Sequence, residues 1–165
     1  MAPAEFERTA QHSVIDRLID TEPTNANDAS LGLAQSVREV KRALRRDLEW
    51  LLNTRRIVEL APETCPELRR SLYHYGVPDI TSSAAASTDA RNWLRRQVEE
   101  TISLFEPRLT NVRVTVSDSD EPGRREVRFV VEAVLQMEPS AEQVVFDTVL
   151  EVSSATFAVK GGADA

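Results

Sequence analysis

A chain of 165 residues, 41% hydrophobic and 28% charged, is long enough for one domain with a real core and reads as globular rather than disordered. Its net charge of −7, from 27 acidic and 20 basic residues, argues against a default nucleic-acid binder. No apolar run approaches the roughly 18 residues of a membrane span, the start MAPAEFERTAQH lacks the pattern of an export signal, and the single Cys65 cannot form an internal disulfide.

In chain order, Val14, Ile15, Leu18 and Ile19 fall at helical spacing and predict a short helix in HSVIDRLID. TEPTNANDAS is rich in turn formers and reads as a loop. Ser36, with Glu39 three residues on, has the form of a capping box opening a long helix. Val37, Val40, Leu44, Leu48, Leu51 and Leu52 form its apolar stripe, and Asn53 and Thr54 are suited to end it. The stretch from Arg38 to Arg56 carries seven basic residues, of which Arg42, Arg45 and Arg46 mark a candidate basic docking face.

Pro62, Pro66 and Pro78 interrupt the segment after this helix. A short helix is expected to start near Pro66 and to stop at Gly76, with Val77 extended ahead of Pro78. SSAAASTDAR begins as a small-residue loop, and Ser87 or Thr88 can cap a second long helix. Ala90, Leu94, Val98, Ile102 and Phe105 line one face of that helix, and Pro107 ends it.

The period then changes to two. Val112, Val114 and Val116 form one strand; Phe129, Val131, Ala133, Leu135 and Met137 a second; Val144, Phe146, Thr148, Leu150 and Val152 a third. The predicted fold is α+β, with N-terminal helices packed on a three-stranded antiparallel meander. Residues 1–35 read as an N-terminal segment with a short helix and loop, 36–159 as a single domain and 160–165 as a flexible tail.

Chemistry finds little footing. One cysteine and two separated histidines, His12 and His74, offer no metal cluster and no nucleophile with its base. Cys65 reads as a small apolar structural residue and His74 as a helix-end residue. With five glycines and no phosphate-cradling loop, no cofactor is expected. Glu99, Glu100, Glu106, Glu132 and Asp147 could in principle pair for glycoside hydrolysis, but nothing in the sequence singles out a pair with split pKa values.

Four strings, SVIDRLID, RRDLEWLLNTRR, ELRRSLYHYGVPDI and FEPRL, occur in an order and spacing that resemble the TssE-type baseplate wedge subunits of bacterial type VI secretion systems. Those belong to a wider family of phage tail wedge proteins once labelled lysozyme-related. The resemblance runs from about Val14 to the third strand, and DLEWLLNTRR and YGVPDI favour the secretion branch. It implies a non-enzymatic, cytoplasmic baseplate protein near the inner membrane. It also implies wedge partners TssF and TssG, the TssK and spike components and the sheath proteins TssB and TssC, with no nucleic acid and no membrane insertion. It carries the family's partner-binding motif onto Glu106, Pro107 and Arg108. Rival readings are a peptidoglycan hydrolase, a wedge subunit of another contractile injection system, and a nucleic-acid module using the basic helix.

At the seam, Pro107 forces Glu106 toward an extended conformation. Residues two apart then point to one side, so Glu106 and Arg108 are expected to project together as an exposed pair. A meander also leaves edges, and the third strand, at Val145, Asp147 and Val149, is the expected edge for an added sheath strand.

Overall fold

The computed structural model describes residues 13–18, 33–59, 61–79, 87–117, 126–137 and 140–161. Its architecture follows from two amphipathic helices and an alternating sheet. Helix α1 spans Val14–Leu18, α2 Leu33–Asn53 and α3 Thr88–Phe105. Val40, Leu44, Leu48, Leu51 and Leu52 recur at steps of one, three and four along α2, and all are buried. Leu94, Val98 and Ile102 do the same on α3, and each is fully buried. Ser87 caps α3 by accepting from the Ala90 N–H at 3.1 Å.

Four strands, β1 (Leu109–Ser117), β2 (Glu126–Leu135), β3 (Glu142–Glu151) and β4 (Thr156–Gly161), form an antiparallel sheet in sequence order. Val114 stands opposite Val131, Val131 opposite Phe146 and Leu150 opposite Phe157. These residues and their alternates fill one face of the sheet, on which α2 lies against β4 and α3 against β1. The intervening Arg128, Glu132, Val145 and Asp147 are exposed.

The α+β class matches the expectation, but the sheet has four strands rather than three. The fourth is six residues long and carries only Phe157 and Val159 inward, so its alternation is brief. It takes in Lys160 and Gly161, which the sequence assigned to a tail; 162–165 lie outside the described residues. So does most of the 1–35 segment, together with Ile19 and the small-residue stretch at 81–86.

Two local expectations change as well. Ser36 does not cap α2: the helix starts at Leu33, and Ser36 is buried within it. The Pro66 segment is not an α-helix but two 3-10 turns, Pro66–Arg70 and Leu72–His74. Gly76 follows them at φ 99°. Val77 beyond it is extended and wholly buried, and its N–H donates to the Thr54 carbonyl at 3.0 Å. This bond and its neighbour, Arg56 N–H to the Val77 carbonyl at 2.9 Å, fasten the segment to the end of α2.

Candidate functional site

The seam between α3 and β1 is a tight turn. The Glu106 N–H still donates to Ile102 at 2.9 Å as the last helical bond, and the Leu109 N–H donates back to the Glu106 carbonyl at 3.1 Å. Pro107 therefore occupies the position where its fixed φ favours a turn. The Gln136 N–H, donating to the Arg108 carbonyl at 2.8 Å, clamps the turn to the end of β2.

Glu106 and Arg108 do lie on one side, as their spacing predicts, but they close on each other. Arg108 Nε donates to Glu106 Oε1 and Nη2 to Oε2, both at 2.6 Å, and the Arg108 N–H adds a 3.3 Å contact to Oε1. This is the forked, charge-assisted geometry that guanidinium and carboxylate planes allow. Glu106 is only 6% exposed, so the expectation of an exposed pair is corrected. The short turn folds the carboxylate inward, where the Arg108 guanidinium and backbone N–H both donate to it.

The pair is the first link of a chain of alternating charge. Arg108 Nη2 also donates to Asp47 Oδ2 on α2 at 2.7 Å. Asp47 Oδ1 accepts from Arg46 Nη2 at 2.8 Å, and Arg46 Nη2 reaches Asp16 Oδ1 on α1 at 2.7 Å. Ser13 Oγ closes the far end on Asp16 Oδ2 at 2.5 Å. The hydrogen bond to Glu106, opposed by burial and reinforced by Asp47, holds the Arg108 guanidinium far above its usual value, so it is charged at every accessible pH. Burial alone pushes the Asp16 carboxyl up, but hydrogen bonds from Ser13 and Arg46, with the charges of Arg46 and Arg108, hold it below the usual aspartate range. Burial, then the negative charges of Asp47 and Glu106, push the Tyr75 hydroxyl up. Tyr75 packs edge-on against Phe105, ring centres 5.3 Å apart.

Exposed apolar side chains accompany this ladder. The Arg46 guanidinium lies 4.9 Å from the centre of the Trp50 ring, and Trp50 is 57% exposed. Val14, Ile15 and Leu18 on α1 are exposed, and so is Pro107. The seam therefore presents a pre-organised charged ridge with apolar flanks.

The other predicted positions separate. Arg42 and Arg45 are exposed, whereas Arg46 is half-buried and committed to Asp16 and Asp47. Lys41 is buried against Glu142 at 2.8 Å. Val145, Asp147 and Val149 do not lie on an edge strand, because β4 covers the outer side of β3. Their side chains belong to the outward face of the sheet instead. The sheet edges are β1 and β4. Cys65 is exposed rather than packed, and His74 is a buried structural residue whose Nε2 accepts from the Ala61 N–H at 3.3 Å. Among the described residues no three His, Cys, Asp or Glu side chains could hold a metal, and no helix is long and apolar enough to cross a membrane. Sequence reasoning did not reach Asp47; its one signal is that it is the sole acid within RRDLEW before Glu49.

Comparison with known families narrows the readings to a wedge protein. The model of the family described as "Baseplate wedge protein gp25" matches residues 38–140, which include most of α2 and all of α3, the seam, β1 and β2. The chain belongs to this baseplate wedge family. As a wedge-family member it is a structural baseplate protein. Among solved structures, a chain of "The baseplate complex from the type VI secretion system" is 20% identical, with a TM-score of 0.43 over 65% of this chain and 93% of that one. No curated protein sequence matches.

Proposed function

We propose that this wedge-family chain is the TssE-type subunit of a type VI secretion baseplate, a non-enzymatic part that joins wedge proteins and starts sheath assembly. Family membership across residues 38–140 supports the wedge role. The DLEWLLNTRR and YGVPDI strings support the secretion branch. The observation that carries the partner site is the seam: Arg108 holds Glu106 and Asp47 at 2.6 and 2.7 Å beside an exposed Pro107 and Trp50. A ridge fixed in advance loses little conformational entropy on binding.

In this reading TssF and TssG meet the Glu106–Pro107–Arg108 ridge, and the sheath attaches by an extended segment adding to the sheet. The available edge for that segment is β4, not β3. By alternation along an antiparallel strand, Phe157, Val159 and Gly161 turn their backbone groups away from β3. Asn53 occupies those of Phe157, leaving Val159 and Gly161 for an added strand. The deciding experiment is co-purification of the tagged chain from a host that also expresses TssF, TssG and the sheath pair. Capture of TssF and TssG that weakens with Trp50→Ala, in protein that melts normally, supports the reading. Absence of both from the wild-type capture overturns it.

A further inference from the structure

The outer edge of β1 is closed by a side-chain pair from α3. Antiparallel alternation turns the backbone of every second β1 residue toward β2 and that of the others outward. Val114 is one that faces outward. Its N–H donates to Glu99 Oε2 at 2.9 Å, and its carbonyl accepts from Arg95 Nη1 at 3.3 Å. Arg95 and Glu99 lie one helical turn apart and are joined to each other at 3.1 Å. Together they offer one acceptor and one donor at the positions where a neighbouring strand would offer its carbonyl and N–H.

We propose that the Arg95–Glu99 pair is an edge plug that stops β1 of one copy from adding to β1 of a second copy. Once the plug is absent, such a dimer is matched in backbone register over the regular part of β1 beyond the irregularity at Thr110–Arg113. Two antiparallel β1 strands related by a two-fold axis at Val114 exchange both Val114 bonds, and the contact closes on itself. In that register Arg113 stands opposite Thr115 of the second copy, so no like charges face each other. An unprotected edge strand is a standing hazard for association, and charged side chains are one of the devices that blunt it. Closing β1 also confines strand addition to the opposite end of the sheet, at β4. The plug itself does not depend on which partner uses that end.

The test uses the full chain and sedimentation equilibrium. Arg95→Ala with Glu99→Ala is expected to dimerise at least about tenfold more tightly than the unmodified chain. Glu99→Gln, whose amide oxygen still accepts from Val114, is expected to stay close to wild type. Adding Val116→Pro to the double variant removes the next outward-facing donor and is expected to abolish the dimer. Equal association of wild type and double variant, or a dimer that survives Val116→Pro, overturns the proposal. Amide exchange in the unmodified chain gives a second reading that needs no variant. The Val114 amide is expected to exchange at least about tenfold more slowly than the outward Val116 amide, and equal rates also overturn the proposal.

Discussion

Arg108 grips Glu106 through two 2.6 Å hydrogen bonds across the exposed Pro107, and the same guanidinium reaches Asp47 at 2.7 Å, 61 residues away in sequence. One side chain thus ties the end of α3 to the middle of α2 and also shapes the ridge proposed above to meet partners. Its removal is therefore expected to act on the fold as well as on the proposed site.

Arg108→Ala leaves the Glu106 carboxylate, 6% exposed, without its cation. Breaking a fully buried pair costs on the order of 3–5 kcal/mol. Arg108 keeps 27% of its side chain in water, which lowers the figure. We expect a loss of about 2 kcal/mol, roughly 4–8 °C in Tm for a domain of this size. Loss of binding by this variant therefore mixes two effects. Pro107→Ala separates them: its ring is exposed and outside the ion ladder, so it is expected to change stability by less than about 1 kcal/mol while still altering the ridge. Thermal melts of both variants check this.

The helix stripes and the alternating strands were legible because each is a local periodicity, and nearly every residue named on them is buried or half-buried. The fourth strand was not, since Phe157 and Val159 alone are too few to establish a period of two. That one omission also moved the sheet edge, placing Val145, Asp147 and Val149 on a border they do not occupy. The site was half legible. Proline geometry put Glu106 and Arg108 on one side, but Arg108 is also held by Asp47 on α2, and no local pattern announces an ion ladder spanning three helices.

Gly76 is expected to tolerate no side chain. It sits at φ 99°, and a Cβ there would lie 2.3 Å from the Thr54 carbonyl oxygen. That is a backbone atom, fixed by its bond from the Val77 N–H, and it has little room to move. Gly76→Ala is therefore predicted to cost at least about 2 kcal/mol, from left-handed strain together with displacement of the wholly buried Val77. Urea unfolding measures it, with an unchanged slope expected.

Helix α1 is predicted to detach in acid and in high salt. Its apolar residues Val14, Ile15 and Leu18 are 72%, 61% and 78% exposed, so packing contributes little to its attachment. The Asp16–Arg46 pair at 2.7 Å holds it. The Asp16 carboxyl is depressed in the folded state, so its contribution is present above the ordinary aspartate range and is lost as pH falls through the lowered value. Salt screens the same pair. Amide exchange at Leu18 should accelerate under either condition, and in Asp16→Asn at neutral pH, while the α2 core amides stay protected.

Thr148 gives a prediction of the opposite sign. It lies in the middle of β3, paired with Phe129 on one side and Val159 on the other, and its side chain faces the core. It is 1% exposed, and among the described residues its hydroxyl has no hydrogen-bond partner. A buried hydroxyl without a partner carries a desolvation penalty on the order of 1–3 kcal/mol. Valine has the same branched shape and a higher strand preference and replaces that oxygen with a methyl group. The backbone bonds to β2 and β4 are unaffected, and Phe129 and Val159 already surround the site with apolar atoms. Thr148→Val is therefore expected to stabilise the domain by about 1 kcal/mol, raising Tm by roughly 2–4 °C. Thr148→Ser keeps the hydroxyl and deletes the methyl, and should destabilise it by about 1 kcal/mol through the lost packing. If Thr148→Val lowers Tm, the hydroxyl has a partner in solution and the core at β3 is wetter than this packing describes.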